Sequence, residues 1–254
     1  MLSTDAKLTE LVKRLKEFAA ANLECVILFG SAARGDFREG HSDLNVACVL
    51  QSLSVEELGR LASTVKWWCL EQKEPAPLFF THQELREAAD VFAIEILDMK
   101  QGRRVLYGKD LVAGIEVPMN LHRLQIEHDL RTILLKLRQH YLRAPGNAHE
   151  LEPVLRKSFS SVLTLLRHTI IAFGEQPPAH AREVLARTAA LTGADTSTFE
   201  VLWKLRESGE FHGEIAPVYG AYLKALEKIL HALDHHFPKQ EWQRVKTAGT
   251  VPTK

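Results

Sequence analysis

Apolar positions along the chain follow two regimes, with a change near residue 110. Before it, short β-prone runs alternate with amphipathic stretches; after it, only helical periodicity remains. Leu8, Leu11, Leu15 and Phe18 recur at three- and four-residue spacing, which predicts an N-terminal helix lying on a sheet. Val26 to Phe29 form an apolar run ended by Gly30, the pattern of a buried strand. From Asp43 to Leu50 a second strand is expected, with Asp43 and Asn45 on one face and Leu44, Val46, Cys48 and Leu50 on the other. Ser54-Val55-Glu56-Glu57 has the form of a capping box, opening a helix with Leu58, Leu61, Val65 and Cys69 on one side. Pro77 to Thr81 gives a third strand, Thr81-His82-Gln83-Glu84 a second capping box, and residues 90–108 a helix leading through Gly102 into a strand that ends Leu106-Tyr107-Gly108. The order of elements predicts a small mixed α/β domain.

The rest of the chain predicts helices packed on one another. Leu130, Leu134, Leu137 and Tyr141 form one stripe, and Leu155, Phe159, Val162 and Leu166 another. Breaks at Ala144-Pro145-Gly146-Asn147, Gly174 to Pro178 and Thr192-Gly193 separate them, Ser197-Thr198-Phe199-Glu200 caps a further helix, and residues 219–233 supply a last one. Four or five antiparallel helices follow from such stripes and short connections. The expected organisation is an α/β domain over residues 1–112, an all-α helical bundle over 113–238 and a flexible tail over 239–254.

Charge narrows the partners. The 254 residues carry 32 basic and 32 acidic side chains, so nothing draws the whole molecule to nucleic acid or to an acidic membrane surface. No stretch approaches the roughly 18 apolar residues of a membrane span, and the amino terminus is charged and amphipathic, so a cytoplasmic setting is expected. Cys25, Cys48 and Cys69 are odd in number and sit in apolar or helical contexts; they read as reduced core residues. Trp67 and Trp68 read as core or interdomain packing, with stacking on a base as the alternative.

The turn at Gly30 and the strand at Asp43 carry the chemistry. A strand entering a glycine and then Ser31 places a hydroxyl and the backbone N–H groups of residues 31–34 at the start of a helical turn, where unpaired donors favour a phosphate. Arg34 and Arg38 follow closely enough to pair with a triphosphate, unless Asp36 and Glu39 hold them in surface pairs. Two metal-directed groups at positions 43 and 45 share a strand face and can meet one ion.

Gly30-Ser31, eleven intervening residues that end in Ser42, then Asp43-Leu44-Asn45, the flanking strands and the later Arg104-Val105-Leu106-Tyr107-Gly108 together resemble the nucleotidyltransferase superfamily, over about the first 110 residues. The added helical half resembles antibiotic adenylyltransferases and minimal nucleotidyltransferases with helical partners. The resemblance implies an α+β nucleotidyltransferase domain followed by a helical bundle. It also implies ATP or another nucleoside triphosphate at Gly30, Ser31, Arg34 and Arg38, and Mg2+ held by catalytic carboxylates at positions 43 and 45 and on the next strand. Asp43 matches the first; Asn45 replaces the second with an uncharged amide, and the strand at 77–81 has no acid. Glu74, Glu84 and Asp90 flank that strand. Glu95 and Asp98 read as a solvated helix edge, with displaced metal ligands as the alternative.

The expectation is therefore a nucleotidyltransferase-fold protein with weakened or lost catalysis that still binds a triphosphate. Alternatives are an active magnesium-dependent adenylyl transferase acting on a small-molecule or protein hydroxyl, and an interaction module whose helical domain meets a protein partner or a second copy of the chain. Arg123 to His128 and Arg206 to His212 fit the loose arginine-histidine spacing of helical ribonucleases, which chance also produces among 12 histidines. His41 reads as a loop residue without a role. Glu127 and Asp129, among Arg123, Arg131, Lys136 and Arg138, read as a solvated face with helical ion pairs.

Overall fold

In the computed structural model, the structure describes residues 3–35, 43–208 and 213–236. Ser3 opens α1 (Thr4–Ala19) by accepting the Ala6 N–H, and Leu8, Leu11 and Leu15 are buried along it. Phe18 is 39 % exposed, because its angle lies at the margin of that stripe as the helix ends. β1 (Leu23–Phe29), α2 (Ser31–Arg34), β2 (Asn45–Leu50), α3 (Val55–Lys66), β3 (Leu78–Thr81), α4 (His82–Glu87), α5 (Ala93–Gln101) and β4 (Arg103–Gly108) complete the first half. The four strands form one sheet in the order β3-β2-β1-β4. β1 runs antiparallel to β2 and β4, and β2 runs parallel to β3.

Strand alternation gives the sheet two apolar faces. Val26, Leu28, Leu44, Val46, Cys48 and Leu50 pack with α1, Leu61 and Trp68. Cys25, Ile27, Phe29, Ala47 and Val49 pack with Leu85, Ile96 and Met99 of α4 and α5, and with Val112 and Ile115. Asn45 belongs by alternation to this second face, and Asp43 lies two residues before it, ahead of the strand.

The capping signals are realised to different extents. At Thr81 both halves of the box form, with Thr81 Oγ1 accepting from Glu84 N–H and Glu84 accepting from Thr81 N–H at 2.7 Å. At Ser54 the hydroxyl accepts the Glu57 N–H, but the Glu57 carboxylate goes to Asn22 and Arg60. α3 buries Leu61 and Thr64, while Leu58 is exposed. Trp67 and Trp68 continue α3 as a wider turn over Trp67–Glu71. Trp68 is fully buried with its indole N–H donated to the Pro75 carbonyl, and the Arg14 guanidinium lies 4.3 Å from the Trp67 ring. Core packing thus removes both rings from any base.

The second half is an all-α bundle: α6 (Met119–Arg143), α7 (Ala148–Ala172), α8 (Ala181–Thr192), α9 (Ser197–Ser208) and α10 (Ile215–His236). Both expected leucine stripes enter its core, joined by Phe199, Tyr219, Tyr222 and Leu226. Asn147 caps α7, and Gly193 ends α8 in the left-handed conformation. The Tyr219 hydroxyl donates to the Leu137 carbonyl at 2.7 Å, which satisfies a polar atom inside that core. The charges on α6 do more than decorate one helix. Glu127 accepts from Arg123 and Arg131, and Arg131 also reaches Asp234 of α10 at 2.8 Å, so the ion pairs join two helices.

α5 links the halves. Its Ile96 and Met99 lie under the sheet, whereas Ile94 joins the bundle core. Gln125 of α6 reinforces the seam by accepting the Ile94 N–H and donating to Glu95. No helix among the described residues is long and apolar enough to cross a membrane. Residues 237–254, including the expected tail, lie outside the described residues.

Candidate functional site

β1 delivers the chain to Gly30, which adopts φ 77° and ψ −152°, a conformation costly for any residue with a Cβ. A Cβ there would also lie 3.0 Å from the Asn45 side-chain nitrogen. Asn45 pairs with Phe29 across the β1–β2 ladder, and this register brings its amide onto the glycine. The Gly30 carbonyl accepts the N–H groups of Ala33 and Arg34, closing α2 as a single turn, and Gly35 ends it in the left-handed region. Ser31 is half-buried at the head of that turn. Gly30, Ser31 and Asn45 are therefore neighbours, with Asp43 exposed two residues before Asn45. Arg38, His41, Asp36 and Glu39 lie outside the described residues.

The acids flanking β3 are engaged elsewhere. Glu74 accepts the Leu44 N–H at 3.0 Å and the Lys7 ammonium at 2.8 Å, which pins the entry to β2 against α1. Glu84 is committed to the cap of α4, and Asp90 is exposed on the turn after it. The strand register pairs Ala47 with Leu78, so the residues level with Asn45 and Val46 are Ala76 and Pro77, neither of which has a carboxylate.

Arg34 has a partner that the sequence did not suggest. Its Nη1 donates to Asp98 Oδ1 at 2.9 Å, with the two side chains 15 % and 11 % exposed. Its stem lies on Gly102, where a Cβ would come within 2.3 Å of Arg34 Cγ, so the glycine makes room for the arginine. Arg34 Nε is buried without a hydrogen-bond partner among the described residues. Asp98 is thus no solvated edge, and Glu95 is half-buried against Gln125. The helix carrying them is packed on both sides, by the sheet and by the bundle, which its short sequence did not reveal.

On its other side Asp98 Oδ1 lies 3.9 Å from His168 Nε2 of α7, and His168 Nδ1 lies 2.9 Å from His122 Nε2 of α6. Both imidazoles are at most 1 % exposed. The tautomer with the proton on His168 Nε2 would turn an N–H toward the carboxylate and let His168 Nδ1 accept from His122 Nε2–H. Burial pushes the Asp98 carboxyl up, but His168 and the Arg34 guanidinium outweigh it and hold the group below the usual carboxylate range. Burial, with the neighbouring His168, pushes His122 down to about 4.

Sequence reasoning missed this line of contacts. A signal existed: residues 162–171 read VLTLLRHTII, with Arg167 the one formally charged side chain in the run, which makes His168 a candidate for burial against a polar partner. Which partner is decided by α5 and α6.

Among the described residues the donor set does not fit a two-magnesium centre. Among the described residues, no three His, Cys, Asp or Glu side chains gather as a metal site, and Asp43 with the Asn45 amide brings one formal charge. Magnesium favours carboxylates with phosphate and water.

The sheet order, the glycine turn and the appended bundle give a four-stranded α/β domain followed by an all-α bundle. No family model and no curated protein matches the chain. Among solved structures it is similar to spectinomycin adenyltransferase AAD(9) from Enterococcus faecialis, determined with ATP and spectinomycin. The TM-score is 0.59 at 16 % identity, over 91 % of this chain and 100 % of that one. An identity that low establishes the shared fold.

Proposed function

We propose that this protein binds a nucleoside triphosphate at the Gly30–Ser31 turn and that its capacity for nucleotidyl transfer is weakened or lost. One observation carries the reading: the strained glycine turn is retained with position 45 seated directly against it, but position 45 is an amide. Phosphoryl and nucleotidyl transfer depend on charge placed against developing negative charge, and metal ions supply much of it. Removing one anionic ligand while a second is missing from β3 lowers the rate far more than it lowers ground-state binding. Binding can rest on the turn amides, Ser31 and an arginine.

The fold likeness to an adenyltransferase determined with ATP and spectinomycin supports a second reading, adenylyl transfer to a small-molecule hydroxyl. That reading requires a carboxylate from a partner or from outside the described residues. The helical bundle offers a place for a protein partner or a second copy, and the reduced cysteines suit the cytoplasm.

Calorimetric titration with ATP and the other nucleoside triphosphates, with and without magnesium, followed by a pyrophosphate-release assay, tests these readings. Binding without release is expected. Release revives the transferase, and absence of binding removes the nucleotide reading.

A further inference from the structure

We propose that Asp98 is a positioning residue: from α5 it fixes the Arg34 guanidinium over Gly102 beside the Gly30–Ser31 turn, while His168 and His122 of the bundle hold Asp98 in place. The seating of the bundle then sets how well the turn binds a triphosphate. This rests on the nucleotide reading above.

The geometry supports each link. A free arginine side chain has substantial rotamer entropy to lose when it pairs with a phosphate. Here much of that freedom is already removed. The stem lies against Gly102, Nη1 is bonded to Asp98, and Nε is enclosed. A side chain tethered in this way, with 15 % of its surface still exposed, meets a ligand with less ordering left to lose.

Asp98 cannot perform this role from within the sheet domain alone. It is 8 % exposed and has one hydrogen-bonded cationic partner among the described residues, a costly setting for a carboxylate. His168 turns its Nε2 toward the same Oδ1 from the bundle, and that nitrogen is buried with no hydrogen-bond partner among the described residues. His122 fixes the His168 ring from the neighbouring helix. Four side chains on α2, α5, α7 and α6 therefore form one line from the phosphate turn into the bundle. A purely structural lock between the halves would need no arginine from the turn at its end.

The test uses the full chain in two arms. The first follows the free protein, with the Arg34 Nε–H resonance assigned through Arg34→Lys. Slow solvent exchange is expected in the unsubstituted protein, with a shifted and faster-exchanging signal in Asp98→Asn and His168→Gln. A signal unchanged in both variants overturns the proposal. The second arm measures ATP affinity. Arg34→Ala and Asp98→Asn should each weaken ATP by about tenfold, and the double variant by no more than Arg34→Ala alone. Additive losses, or Asp98→Asn binding like the unsubstituted protein, overturn it. His168→Gln should give a smaller loss that disappears in the Arg34→Ala background, and it serves where Asp98→Asn fails to fold. If the unsubstituted protein takes up no ATP, the nucleotide reading fails and so does the claim about affinity. The resonance arm still decides whether the bundle governs Arg34.

Discussion

Two unlike neighbourhoods meet at Gly30. On the strand side stand Asp43 and Asn45, one exposed and the other half-buried, placed by alternation along β2 and supplied with one charge between them. On the helix side stand Arg34, Asp98, His168 and His122, drawn from four separate helices and almost closed to solvent. The strand side is where the superfamily resemblance implies catalytic metal ligands, and there the charge is depleted. The helix side keeps its charge in a buried arrangement, which persists only if every member has a partner. The contrast teaches that retention of a fold and retention of its chemistry are separate questions. In this chain the buried electrostatic structure joins the two halves, while the strand pair carries one formal charge nearer to solvent.

Substitution should show the asymmetry directly. Asp98→Ala leaves the Arg34 guanidinium enclosed without its carboxylate and should cost about 3–5 kcal/mol, measured by urea unfolding. A loss near zero would mean that the pair is solvated and the contrast false.

Acid should expose the same side next. His122 titrates at about 4 in the folded protein against 6.5 for an unperturbed ring, so the unfolded chain binds the extra proton first as pH falls. Stability from this group is complete above about 6.5, falls between there and about 4, and is level below, a loss of roughly 3 kcal/mol. Asp98, with its folded pKa held down, adds stability above the ordinary carboxylate range that is lost at still lower pH. His122→Asn should flatten the unfolding profile between pH 6.5 and 4; an unaltered slope would assign the effect to other groups.

Gly30→Ala, on the boundary between the two sides, should cost about 1–3 kcal/mol through its positive φ and its contact with Asn45. It should also remove nucleotide binding in calorimetry. Retained affinity would move the ligand away from this turn.

The strand side should respond least in stability and most in metal dependence. Asp43→Ala should change unfolding free energy by no more than about 0.5 kcal/mol while weakening magnesium-dependent nucleotide binding. Asn45→Asp should raise magnesium affinity by restoring a charge on the same face. If magnesium titrations of both variants match the unsubstituted protein, no ion binds at these positions.

What could be read in the sequence was local. Strand alternation at 43–50, the glycine stop at 30, the Thr81 capping box and the leucine stripes of α6 and α7 each depend on neighbours a few residues away, so their physics is written in order along the chain. The sequence by itself determined a small mixed sheet followed by helices, and placed Gly30 and Ser31 at a turn with Asn45 at the start of the next strand. It could not assign Asp98, which on a nine-residue helix reads as a surface acid, nor Phe18 and Leu58, which fall at stripe margins. Tertiary structure decided that Glu74 serves Leu44 and Lys7, that Trp67 and Trp68 are enclosed, and that Arg34 turns to Asp98. The reason is physical: the partner of a buried charge is chosen by whichever element packs beside it, and Arg34 and Asp98 stand 64 positions apart, Asp98 and His168 a further 70. Periodicity reports which face of a helix is covered. Only the packing of α5 between sheet and bundle determines what covers it.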